Sequence, residues 1–374
     1  SQQASNAKEV ADLQAKKAAE QRAKALANEK ALEAEKAKAS AEQKALDTKA
    51  AQIEAENAIK MARQARNREA VICYSQDFHG RTLLAATLTS KVGYKTGFGP
   101  FAPEIYRIDF PAYDYYEGAL NEDAFSMEHI EKLKAFFHHY VPAQNVAAII
   151  VEPVQGEGGF HVIPKKYLQE LRNICTDNGI MLILDEVQTG FGRTGEWAAF
   201  HHYDIVPDLS TWAKSMGSGM PIGAVMGKAD VMDNINPGTI GGTYLGNALC
   251  CVAVSATIDY MQSIDINTKG KAVGAIIKKR FQQLQQKFPK HISRVRGLGA
   301  MMAFELSVNG DIHQPDTALT KKLAQRCYEN GLIVLTAGVH GNVIRNLAPL
   351  VISETDLNRG LDIIENCLAE IIAA

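Results

Sequence analysis

The chain has 374 residues, enough for a large core and two or three domains, and carries 40 Lys and Arg against 42 Asp and Glu. A net charge of −2 with mixed signs argues against nucleic-acid and anionic-membrane partners. Six cysteines, at positions 73, 175, 250, 251, 327 and 367, show neither a CxxC pair nor metal spacing, so reduced core thiols of a cytoplasmic protein are expected, with no disulfide frame and no metal site. No apolar run is long enough to span a bilayer. The polar, Ala-rich start lacks the apolar stretch of a signal peptide.

Residues 1–67 contain no Gly, Pro or aromatic residue and are dominated by Ala, Lys, Glu and Gln, all strong helix formers. Ala11, Ala18, Ala25, Leu32, Ala39, Leu46 and Ile53 form one apolar line at heptad spacing. The second line that a coiled coil needs is filled by Gln14, Gln21, Asn28, Glu35 and Glu42. Over residues 1–55 this predicts one long, mostly solvated helix, pairing weakly if at all. It reads as a spacer or oligomerising stalk, or as a charged tail.

From Ala70 the pattern alternates. Ala70–Tyr74 is a short apolar strand, followed by the turn Asp77-Phe78-His79-Gly80-Arg81-Thr82. Residues 93–120, rich in Gly, Pro and aromatics, read as a long ordered loop. Ser126–Tyr140 has helical periodicity, and Val146–Val151 is a continuous apolar strand ending in EPVQGEGG. Tyr167–Asn178 is the next helix. Met181–Leu184 is a buried strand that delivers Asp185 and Glu186 at its carboxyl end, where open α/β sheets place ligands. Lys214 follows in a Ser/Gly-rich turn. An acid at a strand end followed by a lysine in a glycine-lined loop suits a pyridoxal phosphate site: the lysine bonds the cofactor and the acid keeps its ring nitrogen protonated. Small residues and a hydroxyl recur in GGTYLGN at 241–247, ahead of an apolar helix over 249–262. Residues 267–290 form a solvated Lys/Gln-rich helix. Strands are expected near 300–305 and 332–335, and Arg345 closes a strand at 342–345. The crossover-length connections predict a mostly parallel sheet covered by helices, with a C-terminal α+β small domain.

The strings DEVQTGFGRTG and PDLSTWAKSMGSGMPIGAV, with FHGRT, EPVQGEGGF, GGTYLGN, VRGLGAMMAFEL and NVIRNLAP, resemble the class III (ω-amino acid) aminotransferases. The resemblance runs from about Glu56 to the C-terminus. It implies a fold type I pyridoxal phosphate enzyme with a large domain over 56–290 and a small one over 291–374. It implies transamination of an ω-amino acid: 4-aminobutyrate and 2-oxoglutarate to succinate semialdehyde and glutamate, or an acetylornithine- or ornithine-type donor. Small amino and keto acids are then the partners, acting on a homodimer with shared sites. By the same resemblance Lys214 and Asp185 are catalytic, and Phe78, His79, Val187 and Gln188 hold the cofactor ring. Thr243 reaches the phosphate of the neighbouring subunit. Arg81 clamps the distal carboxylate, and Glu157 neutralises Arg345 until an α-carboxylate needs it. The family pattern breaks ahead of ENAIKMARQAR at 56–66. In that family a Gly-Ser, Gly-Thr or Gly-Ala turn holds phosphate at a helix start, but here Ala50, Ala51, Gln52, Ile53 and Glu54 stand instead, with no glycine to stop the helix. The chain reads as an Ala-rich helix fused to a truncated aminotransferase, with a catalytically silent scaffold as the remaining alternative.

Overall fold

The computed structural model describes residues 53–373. The helix expected over 1–55 falls almost wholly on residues 1–52, outside the described residues. Helix α1, described over 53–66, continues straight into the first strand of the main sheet.

Strands β1 (Ala70–Tyr74), β2 (Ile105–Ile108), β3 (Val146–Val151), β4 (Met181–Asp185) and β5 (Leu209–Trp212) lie parallel in the order β2-β1-β3-β4-β5. β6 (Ala224–Gly227) pairs antiparallel with β5 and closes that edge. The runs AVICY, VAAIIV and MLILD are buried at every position, as strands covered on both faces require. Ala55, Ala58, Ile59 and Ala62 of α1 pack on one face with Leu84 and Leu88 of α2 (Leu83–Leu88). Their small side chains let the helix approach the sheet closely. On the other face α3 (Glu122–His139) and α4 (Lys165–Asp177) bury Ile130, Leu133, Leu168 and Leu171. Each fully buried Leu or Ile contributes roughly 1.5–3 kcal/mol.

The chain then passes a short helix α5 (Ala229–Met232), α6 (Ala248–Ser263) and α7 (Ile266–Lys287) into a second sheet. That sheet is antiparallel, in the order β7-β8-β10-β9, from β7 (Ile292–Leu298), β8 (Met301–Leu306), β9 (Leu335–Ala337) and β10 (Val343–Asn346). Helices α7, α8 (Thr317–Glu329) and α9 (Glu354–Ala373) cover it around Phe281, Phe304 and Leu323. The hairpin joining β7 to β8 braces the loop that follows β4, because Ala300 N donates to Arg193 O at 3.0 Å. Gly299 there has φ +57°, and a Cβ on it would stand 2.3 Å from the Thr194 carbonyl carbon. Only glycine allows that approach.

Three local expectations shift. The stretch 93–120, expected as loop, contains β2, a half-buried edge strand whose apolar content is diluted by Tyr106 and Arg107. The strand expected at 332–335 begins only at Leu335, because Leu332 and Val334 turn to pack against the second core. Five cysteines are buried, but Cys251 is exposed on α6. Among the described residues no single helix is long and apolar enough to cross a membrane.

Glu54 on α1 is buried, and burial pushes its carboxyl up to about 7. Between the ordinary carboxylate value and pH 7 the folded chain therefore holds a proton that the unfolded chain has released. Stability falls as pH rises through that window and levels above it. Glu54→Gln should remove the slope, leaving the variant more stable than the parent at pH 8 by on the order of 2 kcal/mol and equal to it near pH 4. Thermal denaturation at the two pH values checks this.

Candidate active site

The carboxyl ends of four parallel strands deliver the site. β1 runs into the turn 75–82, β3 into the loop 152–160, β4 ends at Asp185, and β5 leads to Lys214. Between them a cavity of about 290 Å³ is lined by Phe78, His79, Arg81, Glu157, Asp185, Val187, Gln188 and Lys214, with Gly80, Tyr94 and Glu152. Arg345, on β10, joins through Glu157, since its Nη2 lies 2.7 Å from Glu157 Oε1. Thr243 does not line this cavity and stands exposed in an open segment. A larger opening of about 670 Å³ lies at the opposite end of the sheet, beside Arg63, Arg68, Glu69 and Glu104. It is remote from every residue above.

Asp185 is buried and its carboxylate accepts three bonds. His79 Nδ1 is 2.7 Å from Oδ2, while Thr211 Oγ1 and the Val187 amide donate to Oδ1 at 3.0 and 3.1 Å. Behind His79, Nε2 lies 3.4 Å from Asp77 Oδ2, a charge contact too long for a good hydrogen bond. Burial works to lower the His79 pKa, but the two carboxylates outweigh it and raise it to about 10. The two carboxylates favour the protonated imidazole, which donates from Nδ1 to Asp185.

Glu152 joins two walls of the cavity. Oε1 accepts from the Phe78 amide at 2.7 Å and Oε2 from the Gly156 amide at 2.8 Å. Burial, then Asp77, pushes this carboxyl up to about 8. Thr82 donates to Glu56 at 2.6 Å and so ties the turn carrying Arg81 to α1. Sequence reasoning found neither these two ties nor Tyr94, whose hydroxyl donates to Glu157 Oε2 at 3.0 Å.

Lys214 has φ +51°, a left-handed conformation uncommon outside glycine and a mark of functional strain. Its side chain keeps access to solvent through the cavity. The surrounding protein mass nevertheless lowers its pKa, against the opposing pull of Asp185, Glu152 and Glu157. A lowered pKa favours the neutral amine that a base or nucleophile must be. At Glu157 burial works upward, but Arg345 and Tyr94 prevail and hold its carboxyl below the ordinary range.

A family model described as Aminotransferase class-III matches residues 6–368. The chain belongs to the class III aminotransferases. The match begins well ahead of Glu56, where the recognisable motifs start. A probable 4-aminobutyrate aminotransferase of Bacillus subtilis is 42% identical over 311 residues, covering 83% of this chain and 71% of the relative. The 5-aminovalerate aminotransferase DavT of Pseudomonas aeruginosa is 43% identical over 317 residues, covering 84% and 72%. Among solved structures, a PLP-bound amine transaminase from an uncultivated Pseudomonas species superposes with a TM-score of 0.80 at 28% identity, covering 86% of this chain and 75% of that one.

This class III aminotransferase is therefore an enzyme of fold type I, and its cofactor is pyridoxal 5′-phosphate. The cavity fits the ring of that cofactor. Asp185, held by three donors, suits a ring nitrogen that must stay protonated. Gln188 Oε1 is buried without a partner, an acceptor left for a ring hydroxyl. A Cβ on Gly156 would stand 2.7 Å from that oxygen, so glycine keeps its space clear. Of residues 50–54, where the phosphate turn was expected to be lacking, Ile53 and Glu54 already lie on helix α1, and 50–52 lie outside the described residues.

The loop bearing Glu157 is clamped to the second sheet. Arg296 on β7 donates from Nε to Gly159 O at 2.7 Å and from Nη1 to Glu305 at 2.5 Å, with Asp114 at 3.4 Å. Arg296 and Glu305 are buried, and Asp114 is half-buried. Arg296→Met should leave Glu305 with only the neutral donors Tyr115 and Asn342 and cost on the order of 3 kcal/mol, read as a drop in denaturation midpoint.

Proposed function

We propose that the chain transaminates ω-amino acids, 4-aminobutyrate first, with 2-oxoglutarate as the acceptor. The observation that carries this reading is the Glu157–Arg345 pair at 2.7 Å, set in a cavity that Arg81 also lines. One arginine stays available for the substrate's distal carboxylate, by the bidentate recognition that guanidinium favours. The other is neutralised while the substrate has no second carboxylate and becomes available when one arrives. Arg345 Nε is buried and unpartnered, a spare donor for an incoming anion.

Pyridoxal phosphate, when bound, supplies the electron sink that makes the hydrogen beside the substrate amine acidic. Lys214 is the residue that bonds the cofactor and then, once free, moves the proton from the substrate carbon through Nζ. Its lowered pKa equips it to act as base and then as acid. Asp185, held in place by His79 and Thr211, would pair with the ring nitrogen, and Gln188 would take the ring hydroxyl. Phe78 and Val187, which line the same cavity, would hold the ring. Thr243 serves the phosphate of a second copy, which makes the enzyme a homodimer with shared sites. The neighbouring Tyr244, Leu245, Leu249 and Val252 are all exposed, apolar surface that such a partner would cover.

A second donor, 5-aminovalerate, is supported by the similarity to DavT. The acetylornithine- and ornithine-type donors belong to the same panel, and the ornithine aminotransferase of Toxoplasma gondii superposes with a TM-score of 0.73 at 29% identity, covering 86% and 72%. The silent-scaffold alternative rested on the missing N-terminal segment and on residues 50–54, of which Ile53 and Glu54 are described and lie on helix α1.

Purified chain with added pyridoxal phosphate should show a visible absorbance band that 4-aminobutyrate discharges faster than 5-aminovalerate or ornithine. Lys214→Ala should lose that band while keeping its fold by circular dichroism. A band that survives in the variant would remove Lys214 from its role, and indifference to every ω-amino acid would sink the substrate assignment.

A further inference from the structure

Tyr94 ends the 3-10 turn Val92–Tyr94 and was invisible to motif reasoning. Its ring meets Phe78 edge-on at 5.2 Å, and the Arg81 guanidinium carbon lies 4.5 Å from the ring centroid. Its hydroxyl donates to Glu157 Oε2 at 3.0 Å, while Glu157 Oε1 faces Arg345 Nη2 at 2.7 Å. Among the described residues the Glu157 carboxylate has no third hydrogen-bond partner. It is shared between a charged donor on one oxygen and a neutral donor on the other.

A substrate with one carboxylate leaves the Glu157–Arg345 pair intact. A five-carbon dicarboxylate needs both arginines and must displace Glu157. The released carboxylate then sits in a largely enclosed place, where an anion without a donor is costly. Only the phenol is already in contact with it. We propose that Tyr94 is the positioning residue that keeps Glu157 once it leaves Arg345, and so sets the enzyme's balance between monocarboxylate and dicarboxylate substrates. The proposal rests on reading Glu157 and Arg345 as a carboxylate switch.

The two states depend on the phenol unequally. With Arg345 engaged, Glu157 keeps a charge-assisted bond if the hydroxyl is removed. With Arg345 given up to substrate, removal leaves Glu157 with no donor among its present partners. Tyr94→Phe keeps the ring, and with it the contacts to Phe78 and Arg81, so only the hydroxyl is tested.

The experiment titrates the cofactor-loaded full chain calorimetrically with glutarate, a dicarboxylate that lacks the reacting amine, and with pentanoate, its monocarboxylate counterpart. Tyr94→Phe should weaken glutarate roughly tenfold or more and leave pentanoate within about twofold. Glu157→Gln alone should favour glutarate over pentanoate relative to the parent, because a neutral amide holds Arg345 less firmly. In that background Tyr94→Phe should no longer change the ratio. Equal weakening of both ligands by Tyr94→Phe, or a glutarate-selective loss that persists without Glu157, would overturn the role of Tyr94. If Glu157→Gln leaves the ratio where it was, the carboxylate switch itself is wrong and the proposal fails with it.

Discussion

A carboxylate buried at the end of a strand must find its donors inside the protein, and Asp185 finds all of them on neighbouring segments. His79 comes from the turn after β1, Thr211 from β5, and the Val187 amide from the residues just beyond β4. Satisfying one acceptor thus fixes three stretches of chain relative to each other. The remaining lining residues follow from that arrangement. Phe78 precedes His79, Gln188 follows Val187, and Lys214 stands three residues after Thr211. An unpaired acid at this depth would cost several kcal/mol, which is why Asp185 and its donors form one unit.

The second sheet contributes little to the cavity wall but much to its shape. Arg345 reaches across to Glu157 and also donates to Gly156 O at 3.1 Å, while Gly338 N donates to Glu157 O at 3.0 Å. With Arg296 of β7 on Gly159 O, the loop 156–159 is held by the second sheet at Gly156, Glu157 and Gly159. A Cβ on Gly159 would stand 3.1 Å from Arg296 Nη2 and 3.2 Å from Val343. The backbone that carries Glu157 has little room to move.

Much of this was legible in the chain because the chemistry sits in contiguous strings. Asp185, Val187 and Gln188 share one motif, Phe78, His79 and Arg81 another, and the buried strands announce themselves as unbroken apolar runs. Contacts between distant segments were not legible. Tyr94 lies in a stretch read as loop, 63 residues from the carboxylate it holds. Glu152 could be taken for a surface charge until its two amide partners were in view. β2 escaped for a different reason: an edge strand that is only half-buried carries no strong periodic signal. Thr243 was named from a motif, and within one copy of the chain it has nothing to act on.

Glu152 gives each of its two oxygens to a different wall, the Phe78 amide on one side and the Gly156 amide on the other. The turn carrying Phe78 and the loop carrying Glu157 are therefore mechanically one object, joined at a single side chain. Reshaping the pocket toward bulkier amines on either side will carry the opposite side with it. Donor scope in this scaffold should change in linked steps that alter both walls together, and campaigns that vary one wall at a time will search a poorer landscape than those that vary the two in concert.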